Sequence, residues 1–127
     1  MLVAQRRVEV ESGGPHQIKP WFEGKLDFVP DVREVPSLAL QGASVGYFKD
    51  RKAAVIVYTF GLHVVTLIEP PADDRGWPSR AGEVRAETDQ RGFSVFFWRS
   101  GSLGYAMVSD ADPQALRVVA QELATRR

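Results

Sequence analysis

SVGYFKDRKAAVIVYTFGLHVVTLIE, residues Ser44–Glu69, is the stretch that sets the fold class. Within it SVGYFK (Ser44–Lys49), AVIVYTF (Ala54–Phe60) and HVVTLIE (His63–Glu69) are rich in Val, Ile, Tyr, Phe and Thr, side chains suited to a pleated, half-buried surface. Short turns at Asp50–Lys52 and Gly61–Leu62 separate them, and that spacing predicts three consecutive antiparallel strands. The run Val55–Val57 is apolar on both faces, which places the second strand inside the sheet and covered on both sides at its middle.

Toward the C-terminus, FSVFFW (Phe93–Trp98), a turn at Arg99–Gly101 and LGYAMVS (Leu103–Ser109) read as a second hairpin. Alternation puts Phe93, Val95 and Phe97 on one face and Phe96 and Trp98 on the other. A helix closes the chain. Asp112 suits its N-cap and Pro113 its first residue, Ala115, Leu116, Val119, Ala120 and Leu123 form its apolar stripe, and Arg126 and Arg127 complement its C-terminal dipole. Between the hairpins, Pro70–Arg91 is polar, holds three prolines and reads as a long surface excursion with a short strand near Glu83–Glu87.

On the N-terminal side, FVPDVREVPSLALQG carries Pro30 and Pro36 and reads as extended or irregular. Met1–Pro15 is polar, ends in Ser-Gly-Gly-Pro and reads as a linker or stalk, leaving residues 16–127 as one domain. The expectation is an α+β fold: about five strands in a mostly antiparallel sheet, a short N-terminal helix, and a C-terminal helix packed on the sheet. The C-terminal helix covers one face, and N-terminal segments partly cover the other.

Composition removes several function classes. The 127 residues carry 16 basic and 16 acidic side chains, so the cationic excess that phosphate contacts demand is missing and nucleic acid is not an expected partner. With no cysteine, disulfides, thiolate zinc sites and cysteine nucleophiles are excluded. No run approaches the roughly 18 apolar residues of a membrane span, and Met1–Val10 lacks the apolar core of a signal peptide.

Chemistry-bearing patterns are sparse. The two histidines, His16 and His63, show no metal-ligand spacing, and no GxSxG elbow accompanies the serines. The glycines around Gly42–Gly46 and Gly101–Gly104 sit at strand or hairpin starts rather than before a helix, so they serve turns and close packing, not phosphate. Asp73, Asp74, Glu83 and Glu87 read as solvated loop charges. The expectation is a non-enzyme without metal or cofactor.

One segment stands apart: HQIKPWFEGKLDF, His16–Phe28. Ile18, Trp21, Phe22 and Leu26 fit the apolar side of a short helix begun at Pro20, with Lys19, Glu23 and Lys25 outward. It reads as a helical latch over an open sheet face, with a binding site as the alternative. The residues that would act are His16, Lys19, Pro20, Trp21, Phe22, Gly24, Lys25 and Leu26, with Tyr58 and His63 beside the second hairpin turn as a secondary surface.

HQIKPWFEGKLDF resembles the motif that opens the extracytoplasmic domain of a family of bacterial transmembrane anti-sigma factors, also called transmembrane transcriptional regulators. The resemblance continues in order through GYFKDRKAAVIVY (Gly46–Tyr58), HVVTLIEPP (His63–Pro71) and GFSVFFWRSGSLGYAMVSDADPQALRVVAQEL (Gly92–Leu123). It implies a periplasmic regulatory domain at the inner membrane, anchored by an N-terminal membrane helix that these residues do not contain. It also implies a cytoplasmic His/Cys zinc domain, likewise outside them, that holds an extracytoplasmic-function sigma factor. Sigma binding would therefore run only through that other domain, and Met1–Pro15 would be the stalk. The partners left to this domain are a periplasmic protein, a small-molecule signal or a protease. Two features depart from the family pattern: the Pro70–Arg91 loop, and the second hairpin turn TFGLH (Thr59–His63), which is less basic than is common there. The alternative expectation is a free-standing periplasmic ligand- or protein-binding module without catalysis.

Overall fold

The computed structural model describes residues 8–11, 14–72, 77–78, 80, 82–88 and 91–125. Its elements run β1 (Val10–Glu11), α1 (Pro15–Trp21), β2 (Ala39–Phe48), β3 (Arg51–Phe60), β4 (His63–Glu69), β5 (Arg85–Thr88), β6 (Ser94–Ser100), β7 (Leu103–Ser109) and α2 (Pro113–Thr125). All neighbouring strands are antiparallel in one sheet of order β1-β2-β3-β4-β7-β6-β5. The α+β class stands, with seven strands rather than about five.

The sheet is two three-stranded meanders, β2-β3-β4 and β5-β6-β7, joined where Thr66–Ile68 pairs with Ala106–Val108. Beyond the strand ends the seam continues: Gly104 N–H donates to the Pro70 carbonyl at 2.9 Å and Ala72 N–H to Ser102 at 2.8 Å. One added strand is β1, inside the segment read as a stalk. Its Val10–Glu11 pairs with Gly42–Ala43, and the Glu9 carboxylate accepts the Val45 N–H at 3.0 Å, which supplies partners to an otherwise bare edge of β2. Residues 1–7 and 12–13 of that segment lie outside the described residues.

Three hairpins have two-residue turns. Gly61–Leu62 is where the spacing placed it, whereas the others shift to Lys49–Asp50 and Gly101–Ser102. Gly61 and Gly101 both take φ 60°, the first position of a turn matched to strand twist that only glycine enters freely. Lys49 (φ 51°) and Asp50 (φ 68°) hold that left-handed region without being glycine, at a local cost. Replacing them by Asn-Gly is expected to stabilise the domain by about 1 kcal/mol and raise Tm by about 4 °C. A melt with unchanged or lower Tm would show that the native side chains hold the turn.

Parity along the strands sorts the two faces. Ala54, Ile56 and Tyr58 of β3, Val65 and Leu67 of β4, Phe96 and Trp98 of β6, and Tyr105 and Met107 of β7 share one buried core. Ile18 and Phe22 near α1, Val32, Val35 and Leu38 of the connecting segment, and Leu116, Val119, Ala120 and Leu123 of α2 complete it. The N-terminal segment and α2 therefore cover the same face, not opposite ones. That face carries the large apolar side chains, and both helical stripes gain most by landing there.

The other face carries a smaller cluster, Ala53 and Ala106 with Phe48, Ile68 and Val95, and Trp77 of the long loop packs against it. The Trp77 ring lies between Phe48 (5.7 Å) and Phe97 (5.9 Å), and over Gly104, where an added Cβ would stand 2.6 Å from the ring carbons. The excursion Pro70–Arg91 thus includes a specific hydrophobic plug as well as β5, which lies at Arg85–Thr88. The loop carboxylates Asp73 and Asp74 lie outside the described residues, as do Arg126 and Arg127.

α2 forms as its sequence predicts: Asp112 Oδ2 accepts the Ala115 N–H at 3.0 Å, and Pro113 opens the first turn. Ala39–Phe48 is a ten-residue strand, so the irregular segment ends at residue 38 rather than near Gly42. Residues 29–38, called the strap below, run over the helix-bearing face.

Candidate functional site

The helix in HQIKPWFEGKLDF begins at Pro15, not at Pro20. Pro15 has no N–H to leave unsatisfied at a helix start, and Pro20 lies at the penultimate helical position, where its missing N–H brings the helix to an end. Tighter bonds follow, Phe22 N–H to the Lys19 carbonyl (3.2 Å) and Glu23 N–H to Pro20 (3.0 Å). Ile18 and Phe22 are buried and contribute about 1.5–3 kcal/mol each by area. Lys19, Glu23 and Lys25 face outward, as does His16.

Trp21 is half-buried, edge-on to Phe22 with ring centroids 5.0 Å apart. The Lys25 ammonium donates to the Trp21 carbonyl at 2.9 Å and lies 4.5 Å from the centre of the Trp21 ring, so it is tied down by a hydrogen bond and a cation–π contact.

Just past this helix opens a groove of about 560 Å³, lined by Gly24, Lys25, Leu26, Asp27, Asp50, Arg51, Lys52 and Pro71. Three cations and two carboxylates border it, with Leu26 and Pro71 as apolar wall. Of the eight latch residues, Gly24, Lys25 and Leu26 reach it, whereas Phe22 belongs to the core.

The secondary surface does not hold together. Tyr58 is fully buried and donates its hydroxyl to the Arg33 carbonyl at 2.7 Å, because its parity on β3 points it into the main core. His63 is half-exposed and pairs through Nδ1 with Asp110 Oδ1 at 3.0 Å, beside a small cavity of about 260 Å³ with Leu62, Val64, Thr66, Phe93 and Val108. That pair ties the β3–β4 turn to the lead-in of α2. Among the described residues no group of three or more His, Asp or Glu is placed to hold a metal ion, and no helix is long and apolar enough to cross a membrane.

The sequence reading missed Glu69. The signal was present, since residue 69 shares parity with Val65 and Leu67 and so points inward. Its side chain is 0% exposed. Oε1 accepts the Asp31 N–H of the strap at 2.8 Å, while Oε2 is buried without a hydrogen-bond partner among the described residues.

Around this carboxyl the strap is fastened at several points. Arg33 pairs through Nε with Asp31 Oδ2 and donates from Nη1 to the Leu123 carbonyl of α2 at 2.7 Å. The Tyr105 hydroxyl lies 3.4 Å from Asp31 Oδ2, a long contact that contributes little beside the others. Burial pushes the Glu69 carboxyl well above the usual carboxylate range, and the Asp31 charge adds to this against the Asp31 N–H bond, Arg33 and Lys19. Burial likewise pushes the Tyr58 and Tyr105 phenols above their ordinary value.

No known family model, curated protein or solved structure matches this chain.

Proposed function

We propose that residues 16–127 are the extracytoplasmic regulatory domain of a membrane-bound anti-sigma factor, and that they control release of the sigma factor held by a separate zinc domain. The observation that carries this reading is the groove. Gly24–Asp27, Asp50–Lys52 and Pro71 come from three of the four segments that resemble the family, far apart in the chain, yet they border one opening. Segments that serve only to fold a sheet need not meet at a charged, solvent-facing place.

In this reading a periplasmic signal, either a small molecule or a protein, engages the groove, and the latch of Ile18 and Phe22 is the two-state element. Closed, it holds the stalk against the domain; loosened, it gives a protease access. No catalytic step is assigned to the domain itself.

Sequencing the coding DNA upstream of the Met1 codon is the decisive test. The expected result is a span of about 20 apolar residues preceded by a His/Cys zinc-type domain. A cleavable signal peptide instead would overturn the proposal and favour a free-standing binding module, a reading that the groove's size and mixed charge also support.

A further inference from the structure

We infer that Glu69 is a proton-controlled clasp: neutral, it fastens the strap to the sheet through the Asp31 N–H; ionised, it leaves its buried position and the strap comes loose at Asp31, while the Tyr58–Arg33 bond and the packed Val32, Val35 and Leu38 hold the rest. The inference stands on the strap's attachments and does not depend on the domain's proposed role.

The geometry leaves the carboxyl few options. Oε1 has one donor, the Asp31 N–H, and Oε2 has none among the described residues, in a position closed to water. A carboxylate so placed lacks the hydrogen bonds that offset loss of hydration, so it remains protonated or moves to water. Moving out breaks the bond to Asp31, which is the sheet's direct hold on the strap at that point.

The charged and titratable groups around it do not supply a substitute. From the strap, Asp31 opposes ionisation, while the Arg33 guanidinium favours it but is already committed to Asp31 and to the Leu123 carbonyl of α2. From α1, Lys19 favours ionisation and is itself exposed. From β3 and β7, Tyr58 and Tyr105 are phenols, of which Tyr58 spends its hydroxyl on the Arg33 carbonyl. Burial outweighs the cations.

The sign of the linkage follows. Released into water, Glu69 titrates near its ordinary value of 4.5, whereas in the closed clasp it keeps its proton to higher pH. The closed state therefore has its full advantage below about pH 4.5, and loses it progressively as pH rises toward the folded carboxyl's own titration. Over that window opening becomes up to about tenfold easier per pH unit.

Amide hydrogen exchange by NMR between pH 5 and 8, corrected for intrinsic rates, reads this directly. At Asp31 the wild-type protection factor is expected to fall by up to about tenfold per pH unit, and to become flat in Glu69→Gln, which keeps an oxygen acceptor and has no proton to lose. The Ile56 amide in the middle of β3 should stay better protected than Asp31 throughout. An equal fall at Asp31 in Glu69→Gln overturns the clasp. So does equal protection at Asp31 and Ile56, since release would then be unfolding of the whole domain. Should Glu69→Gln not fold, the side-chain carboxyl ¹³C titration of the wild type decides: a glutamate titrating well above the exposed ones is expected, and Glu69 titrating in the ordinary range refutes the inference.

Discussion

Phe22→Ala is expected to destabilise the domain by about 3–5 kcal/mol, while its neighbour Trp21→Ala is expected to cost only about 1 kcal/mol. The two rings touch, yet their surroundings differ. Phe22 is 1% exposed and packs in the core with Ile18, so truncation removes its contacts and leaves a void that the sheet beneath cannot fill. Trp21 is only partly covered, and its main attachments are the edge contact to Phe22 and the Lys25 ammonium above its ring. Urea unfolding of both variants measures the contrast. Equal, small losses would remove the latch and leave the whole segment as a surface. Equal, large losses would show that Trp21 is as much a part of the core as Phe22.

Trp98→Ala is the second large effect, again about 3–5 kcal/mol, with Trp98→Phe expected to recover more than half of it. Trp98 and Tyr105 sit directly opposite on β6 and β7, their rings stacked at 5.4 Å and 5° from parallel. Cross-strand aromatic pairs of this kind add to the burial of the ring itself. Trp98 stacks on Tyr105 within the core, so its loss changes the packing of the Tyr105 ring as well. Near-UV circular dichroism should therefore change in Trp98→Ala even in conditions where the protein stays folded. A loss below about 1 kcal/mol would mean that Trp98 is not packed as described.

Much of the fold was legible where the chain's own neighbours decide the outcome. β4 and β7 occupy the expected residues, because alternation and two-residue turns are properties of consecutive side chains. The facing of Val95, Phe96, Phe97 and Trp98 follows from the same rule. At α1 both Pro15 and Pro20 suit a first helical residue, and the earlier start goes with the burial of Ile18 on the helix's inner side. Of the latch residues, Gly24, Lys25 and Leu26 border the groove, whereas the hairpin turn that faces them carried no signal of the meeting.

By itself the sequence determined the strand type, the hairpins of Ser44–Glu69, the start of α2 and the absence of cysteine chemistry, all matters of composition or of residues a few positions apart. Tertiary structure alone decided that β4 joins β7, that both helices lie on one face, that Trp77 packs against the other, and that Tyr58 is buried. It also decided the surroundings of Glu69, whose hydrogen-bond donor Asp31 comes from 38 residues away. The reason is physical: alternation specifies the direction in which a side chain points, but burial and charge state depend on what the rest of the chain brings there through space.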